Sequence, residues 1–232
     1  MPPKIIFCDL ETLSLAEDAE VFEAAFVDED STETLLWLPV DEGKAEEGAL
    51  RTNRYYLRKE DCYRKYGVDA RVGAERIAKL TTAKRIAGNN VGPFDQARLR
   101  NLLKRHGFTP AWDYRVLDVI DFAAGALGIK APWTSKDVAR TLGLPEANES
   151  EAHTALADAR WGKAVYEKAL AISQEREKRI QVSLAEMVPQ VLNQFRLAQS
   201  VLTDQFVVDA ATSLAKTLNE KCWPALRTNG AK

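Results

Sequence analysis

Five side chains carry most of the chemistry this sequence can offer. Asp9 and Glu11 stand two apart as Asp-Leu-Glu, Asp95 stands alone, and His153 precedes Asp158 by five. In an extended strand, residues two apart share a face and lie about 6.6 Å from each other. Two carboxylates so placed can bridge hard cations, which take oxygen ligands. An i,i+5 pair on one helix points about 140° apart. His153 is therefore expected in the loop before a helix, with Asp158 on that helix's second turn. The result would be a mobile imidazole, a group suited to moving protons near neutral pH, beside a set of acids. Only two histidines occur in 232 residues, which makes this one informative. The other, His106, comes just before Gly107, where a helix end favours a cation, and its expected role is structural.

The elements that must position these groups follow from the apolar pattern. Lys4 to Asp9 reads as a buried strand ending in acid. Glu20 to Asp28 and Thr34 to Leu38 read as two more, joined by a short polar turn at Glu29-Asp30-Ser31. The acidic, glycine-containing run Asp41 to Gly48 reads as a loop, and 55–66 and 69–84 as helices. Arg85 to Gly88 is a short strand, Pro93 to His106 a helix with Gly107 as its cap, and Val116 to Ile120 another strand. Thr134 and Asp137 form a capping box that opens a helix ending at Leu142, before Gly143 and Pro145. A strong helix covers 154–171. Strands first, then strands alternating with helices, predict an α/β fold with a sheet of mixed direction.

The last sixty residues have a different character. Between Met187 and Ala215 the charged residues are Arg196, Asp204 and Asp209. Apolar residues recur at helical spacing through Leu184, Met187, Val188, Val191, Leu192, Phe195, Ala198 and Leu202, then through Phe206, Ala210, Leu214, Leu218 and Cys222. Residues 1–170 are thus expected to form one domain and 171–232 a helical extension. Its apolar stripe would pack on the chain's own domain or join two copies in a homodimer.

Composition excludes several classes. The four apolar residues Ile5 to Cys8 are too few for a secretory signal, and no uncharged apolar run approaches the length of a membrane span. Cys8, Cys62 and Cys222 are far apart and odd in number. They suggest no disulfide framework or zinc site, and suit a reducing cytoplasm. The net charge of −2 argues at first against a nucleic-acid partner. Residues 1–50, however, hold 2 basic and 14 acidic side chains, and residues 51–106 hold 15 basic and 5 acidic. The total is a cancellation between segments of −12 and +10. Within the basic segment, Tyr55, Tyr56, Tyr63 and Tyr66 interleave with Arg51, Arg54, Arg58, Lys59, Arg64 and Lys65. That mixture suits phosphate contact with base stacking on single strands. It equally suits a solvated helix that packs its tyrosines on the sheet.

Each short motif alone is weak, but their order is informative. Asp9-Leu-Glu-Thr12 closes the first strand, Phe94-Asp95 with Leu99 behind it opens a middle helix, and Val116-Leu-Asp118 lies on a later strand. Leu142-Gly-Leu144 and His153 with Ala155-Leu-Ala-Asp-Ala-Arg160 follow. Across residues 4–170 this resembles the DEDDh superfamily of 3′–5′ exonucleases, which includes ribonuclease T, oligoribonuclease and the proofreading subunit of the bacterial replicative polymerase. Gly88 stands where many members have histidine, Asn90 lies five residues before Asp95, and Leu13-Ser14-Leu15 replaces a usual glycine.

The resemblance implies a ribonuclease H-like fold: a mixed five-stranded sheet flanked by helices. It also implies two divalent cations, Mg²⁺ or Mn²⁺, with Asp9 bridging them, Glu11 and Asp158 on the first, and Asp95 acting through water. His153 would take the proton from the attacking water. Thr12 and Leu13 would lie against the terminal sugar and base, and Asn90, Arg54 and Arg58 would contact substrate. The expected activity is release of nucleoside 5′-monophosphates from the 3′ ends of single-stranded DNA. Two further readings are an exoribonuclease on short RNA and a non-catalytic nucleic-acid-binding or assembly protein on the same fold.

Overall fold

A computed structural model of the chain describes residues 3–144 and 153–199, together with positions 209, 212, 213 and 216. Three strands open the chain: β1 (Ile5–Thr12), β2 (Val21–Asp28) and β3 (Glu33–Trp37). Helices α1 (Glu47–Thr52), α2 (Tyr55–Tyr66) and α3 (Ala70–Thr81) precede β4 (Arg85–Gly88). Then come α4 (Ala97–Arg105), β5 (Leu117–Asp118), α5 (Val119–Leu127), α6 (Ser135–Leu142) and α7 (Ala155–Gln199). The sheet has five strands in the order β3-β2-β1-β4-β5. The β1–β2 and β2–β3 pairs are antiparallel, and β1–β4 and β4–β5 are parallel. The mixed α/β sheet expected from the sequence is present, and its central strand is the one that carries Asp9 and Glu11.

Alternation along β1 divides the molecule's chemistry from its core. Ile6, Cys8 and Leu10 point into a cluster with Ala24, Phe26, Ile77, Ile86, Leu99 and Leu103. Asp9 and Glu11 point to the other face. That face is covered in part by α7, whose Tyr166 ring lies 5.5 Å from Phe7. A second cluster of Leu13, Phe22, Trp37, Leu50 and Tyr55 closes the β3 side of the sheet.

Several boundaries differ from the sequence reading, each for a local reason. β1 does not end at Asp9; it runs to Thr12, because its pairing with β2 continues through Glu11 opposite Glu23 before a bulge. The expected loop at 41–48 contains a tight turn held by the Asp41 carboxylate, which accepts from the Gly43 N–H at 3.1 Å, and α1 begins at Glu47. The expected strand 116–120 shrinks to two residues. Asp118 caps a helix there, its Oδ1 accepting from the N–H groups of Ile120 (3.0 Å) and Asp121 (3.2 Å). The capping box at Thr134 and Asp137 is formed as expected, with Gly143 left-handed behind α6.

The chain divides into two compact units, one of residues 1–123 with 134–167, the other of 124–133 with 168–232. In the second, α7 continues past 170 and through Pro189. Leu184, Val188 and Leu192 of the apolar stripe are exposed in the single chain, while Met187 and Val191 are half-buried. The second apolar series, Phe206 to Cys222, lies outside the described residues. Among the described residues, no helix is long and apolar enough to cross a membrane.

Gly88 shows how tightly the sheet closes beneath the acids. A Cβ there would lie 2.6 Å from the Cys8 carbonyl oxygen and 3.3 Å from the Val91 side chain. No side chain fits at this position without a shift of the strand backbone. Gly88→Ala should therefore overpack the β1–β4 junction and lower stability by about 1–3 kcal/mol, read as a reduced urea midpoint.

Candidate active site

Three elements bring the acids together. β1 presents Asp9 and Glu11, and α7 presents Asp158 from its first turn, not its second. One carboxylate oxygen from each of Asp9, Glu11 and Asp158 lies within 4.8 Å of the others. Asp95 stands on one turn of π helix, Gly92–Gln96, ahead of α4. The turn is wide because Gln96 N–H reaches back five residues to the Val91 carbonyl at 2.8 Å. Asp95 is 2% exposed, and its Oδ1 has no hydrogen-bond partner among the described residues.

His153 lies in the segment just before α7, as expected, with its backbone in the left-handed region (φ 60°) and its side chain exposed. Thr154 opens the helix, its Oγ1 accepting from the Ala157 N–H at 3.3 Å.

The electrostatics of this cluster are unfavourable without cations. Burial, then the charges of Asp95, Glu11, Asp158 and Glu23, hold the Asp9 carboxyl well above its ordinary range. Burial, Glu23 and Asp158 push Glu11 up to about 8, against the pull of Arg58. Asp95 is raised by burial, with the Leu10 N–H and Arg98 favouring its charge. Asp158 is raised by burial and eased by His153. Converging carboxylates whose mutual repulsion is only partly answered, with a buried oxygen lacking a partner among the described residues, form a donor set that suits hard divalent cations.

Two residues around the site were not singled out from the sequence. Glu23 is fully buried opposite Glu11 in the β1–β2 register, and its partner is Arg58. The available signal was an acid between Phe22 and Ala24 in an otherwise apolar strand; such a charge must be paired if buried. Arg98, 2% exposed, stacks on Phe94 with its guanidinium carbon 3.6 Å from the ring centroid. It donates to the carbonyls of Leu15 (2.5 Å), Ala16 (2.8 Å) and Phe94 (3.0 Å). It thereby ties the loop after Thr12 to the turn that carries Asp95.

The residues expected to meet substrate fall in different places. Thr12 is buried, and its hydroxyl donates to the Ser14 carbonyl at 2.7 Å. Leu13, 1% exposed, belongs to the second core cluster. Asn90 is exposed and left-handed (φ 55°) before the Asp95 turn. Arg58 is committed to Glu23 and to backbone carbonyls. Arg54, exposed and left-handed (φ 52°) before α2, lines two neighbouring clefts. One, of about 370 Å³, also has Glu23, Arg58, Thr154 and Arg160 in its wall; the other, of about 300 Å³, has Arg51, Tyr56 and Leu57. A larger cleft, about 700 Å³, lies along the loop after Leu13, where Asn101, Lys104 and Arg105 line it and none of the clustered acids does.

Comparison with solved structures places this architecture. E. coli exonuclease I in complex with a dT13 oligonucleotide superposes with a TM-score of 0.58 at 22% identity, over 76% of this chain and 43% of that one. The chain has the ribonuclease H-like fold of exonuclease I. The zinc-bound E. coli exonuclease I–single-stranded DNA complex matches with a TM-score of 0.54 at 23% identity, over 86% of this chain and 45% of that one. A product-bound exonuclease I matches at 0.55 and 19%, over 78% and 47%. The present chain thus corresponds to less than half the length of these proteins. No family model and no curated protein sequence matches it.

The raised carboxyls give a definite pH dependence. For Glu11 the ordinary value is 4.5 and the folded value about 8. The folded protein therefore retains protons that the unfolded chain releases in that window, and metal-free stability falls as pH rises through it. In EDTA the melting temperature should drop between these two values. Mg²⁺ or Mn²⁺ should raise it most at the alkaline end, and Asp158→Ala should diminish the metal-dependent rise.

Proposed function

We propose that the protein is a metal-dependent 3′–5′ exonuclease that releases nucleoside 5′-monophosphates from single-stranded DNA ends. The observation that carries this reading is the convergence of Asp9, Glu11 and Asp158, drawn from two distant parts of the chain, within 4.8 Å, next to a loop that offers His153 to solvent. The fold it shares with exonuclease I, solved with single-stranded oligonucleotides, supports the same reading.

Asp9, Glu11 and Asp158 would hold the cations, with Asp95 behind them acting through water. Two bound divalent ions would neutralise the phosphodiester and favour the hydroxide form of the attacking water. His153, exposed at the end of its loop, accepts the proton from that water on an imidazole nitrogen. Arg98 keeps the Leu15–Ala16 backbone against the Asp95 turn, so that the loop after Thr12 holds one shape when the terminal nucleotide enters. Arg54, with Tyr56 63% and Leu57 77% exposed beside it, offers a cation and apolar surface on which bases of a single strand can stack. The RNA reading rests on the same atoms and differs in contacts to the 2′-hydroxyl.

Digestion of 5′-labelled DNA and RNA oligomers, single- and double-stranded, should give a descending ladder with Mg²⁺ or Mn²⁺ and none in EDTA, fastest on single-stranded DNA. Purified His153→Ala and Asp9→Ala proteins should be folded and lose at least about a hundredfold in rate. Wild-type-like activity in either would sink the assignment. Arg54→Ala should weaken binding of a dT oligomer and reduce the slope of log affinity against log salt by about one. Unchanged affinity would return α2 to a purely structural role.

A further inference from the structure

We infer that Glu23 and Arg58 form a fixture that sets where His153 stands, with Arg58 a positioning residue for proton transfer rather than a contact to substrate phosphate. The role in proton transfer rests on the nuclease reading; the fixture itself does not.

The contacts are specific. Glu23 is fully buried on the face of the sheet that carries Glu11. Arg58 reaches it from α2, Nη2 donating to Oε1 at 2.5 Å. The same guanidinium turns Nη1 to two backbone carbonyls, Asn53 at 3.1 Å and His153 at 3.4 Å. Its carbon lies 5.5 Å from the centre of the Trp37 ring, which walls one side. Asn53 in turn donates from Nδ2 to the Thr12 carbonyl at 3.4 Å. One planar cation therefore links β2, the start of α2 and the residue ahead of α7. The Ala155 N–H, first of α7, also favours the Glu23 charge, so the carboxylate draws the helix start toward the same point.

Such a fixture has work to do at His153. A non-glycine residue in the left-handed region is strained and persists where its surroundings over-determine it. The Arg58 contact to the His153 carbonyl is one such restraint. A guanidinium can serve a carboxylate and two carbonyls at once because its donors lie in a fixed fork; an ammonium can hold the charge but not the fork. Arg58→Lys should thus keep Glu23 paired while releasing His153.

The experiment follows from that difference. Arg58→Lys should fold with an unchanged circular dichroism spectrum and lower kcat at least tenfold, with KM within twofold of wild type. Exchange of the backbone amides of residues 153–158 should be about tenfold faster, with β1 and β2 unchanged. In the His153→Ala protein, Arg58→Lys should leave affinity for a dT oligomer in Ca²⁺ unaltered. A raised KM with unchanged kcat, or weaker oligomer binding in the His153→Ala background, would make Arg58 a phosphate contact and overturn the proposal. Wild-type kcat together with wild-type exchange would also overturn it. If the wild-type protein shows no nuclease activity, the nuclease reading fails and the exchange measurement alone decides the fixture: faster exchange at 153–158 sustains it, unchanged protection removes it. Should Arg58→Lys fail to fold, the double variant Glu23→Gln/Arg58→Gln, which leaves no unpaired buried charge, takes its place with the same outcomes.

Discussion

Repulsion among carboxylates gathered on one face of a sheet is the constraint on which the rest of this structure depends. Two like charges 5 Å apart at an effective dielectric near 20 repel by about 3 kcal/mol, and here Asp9 feels Asp95, Glu11, Asp158 and Glu23, while Glu11 feels Glu23, Asp158 and Asp95. The fold answers this group by group. Glu23 receives Arg58. Asp95 receives the Leu10 N–H and the nearby Arg98. Asp9, Glu11 and Asp158 receive no comparable cation from the described chain, and that remainder suits divalent metal. The apolar cluster on the opposite face of β1 supplies the burial that lets the strand tolerate it.

The division of the sequence into a −12 and a +10 segment acquires two meanings in the folded chain. Part of the basic segment serves the acidic one directly: Arg58 pairs with Glu23, Lys59 with Glu42 and Lys84 with Asp28. At the surface, Arg54 stands beside Tyr56, and Arg51 there pairs with Glu47. A near-neutral total thus hides internal neutralisation as well as a basic surface, and the count of basic residues overstates what a nucleic acid would encounter.

Much of the site was legible in the sequence because its spacing is local. Asp9 and Glu11 share a face by strand geometry, and the offset between His153 and Asp158 demands a loop before a helix. Their convergence with each other needed the order of the motifs, since no local rule joins position 9 to position 158. Glu23 stayed out of view because an acid in an apolar strand carries no motif and its importance comes from the partner opposite it. Arg58 looked like a surface cation, since its reach to β2 depends on how α2 docks. The helix at 119–127 was missed because Asp118 caps it in the middle of what reads as a strand. Helical spacing identifies the apolar face of α7 without naming what lies against it; Leu184, Val188 and Leu192 of that face are exposed in the single chain.

Arg54, Asn90 and His153 share one feature: each holds a left-handed backbone without being glycine. Each conformation costs on the order of 1 kcal/mol relative to glycine. Glycine at Ser31 or Ala83, which are left-handed as well, would relieve that cost without touching the site, whereas at Arg54, Asn90 and His153 the same relief would come at positions to which the nuclease reading assigns proton transfer and strand contact. Selection for robustness and selection for turnover would pull in opposite directions at those three codons and not at the other two.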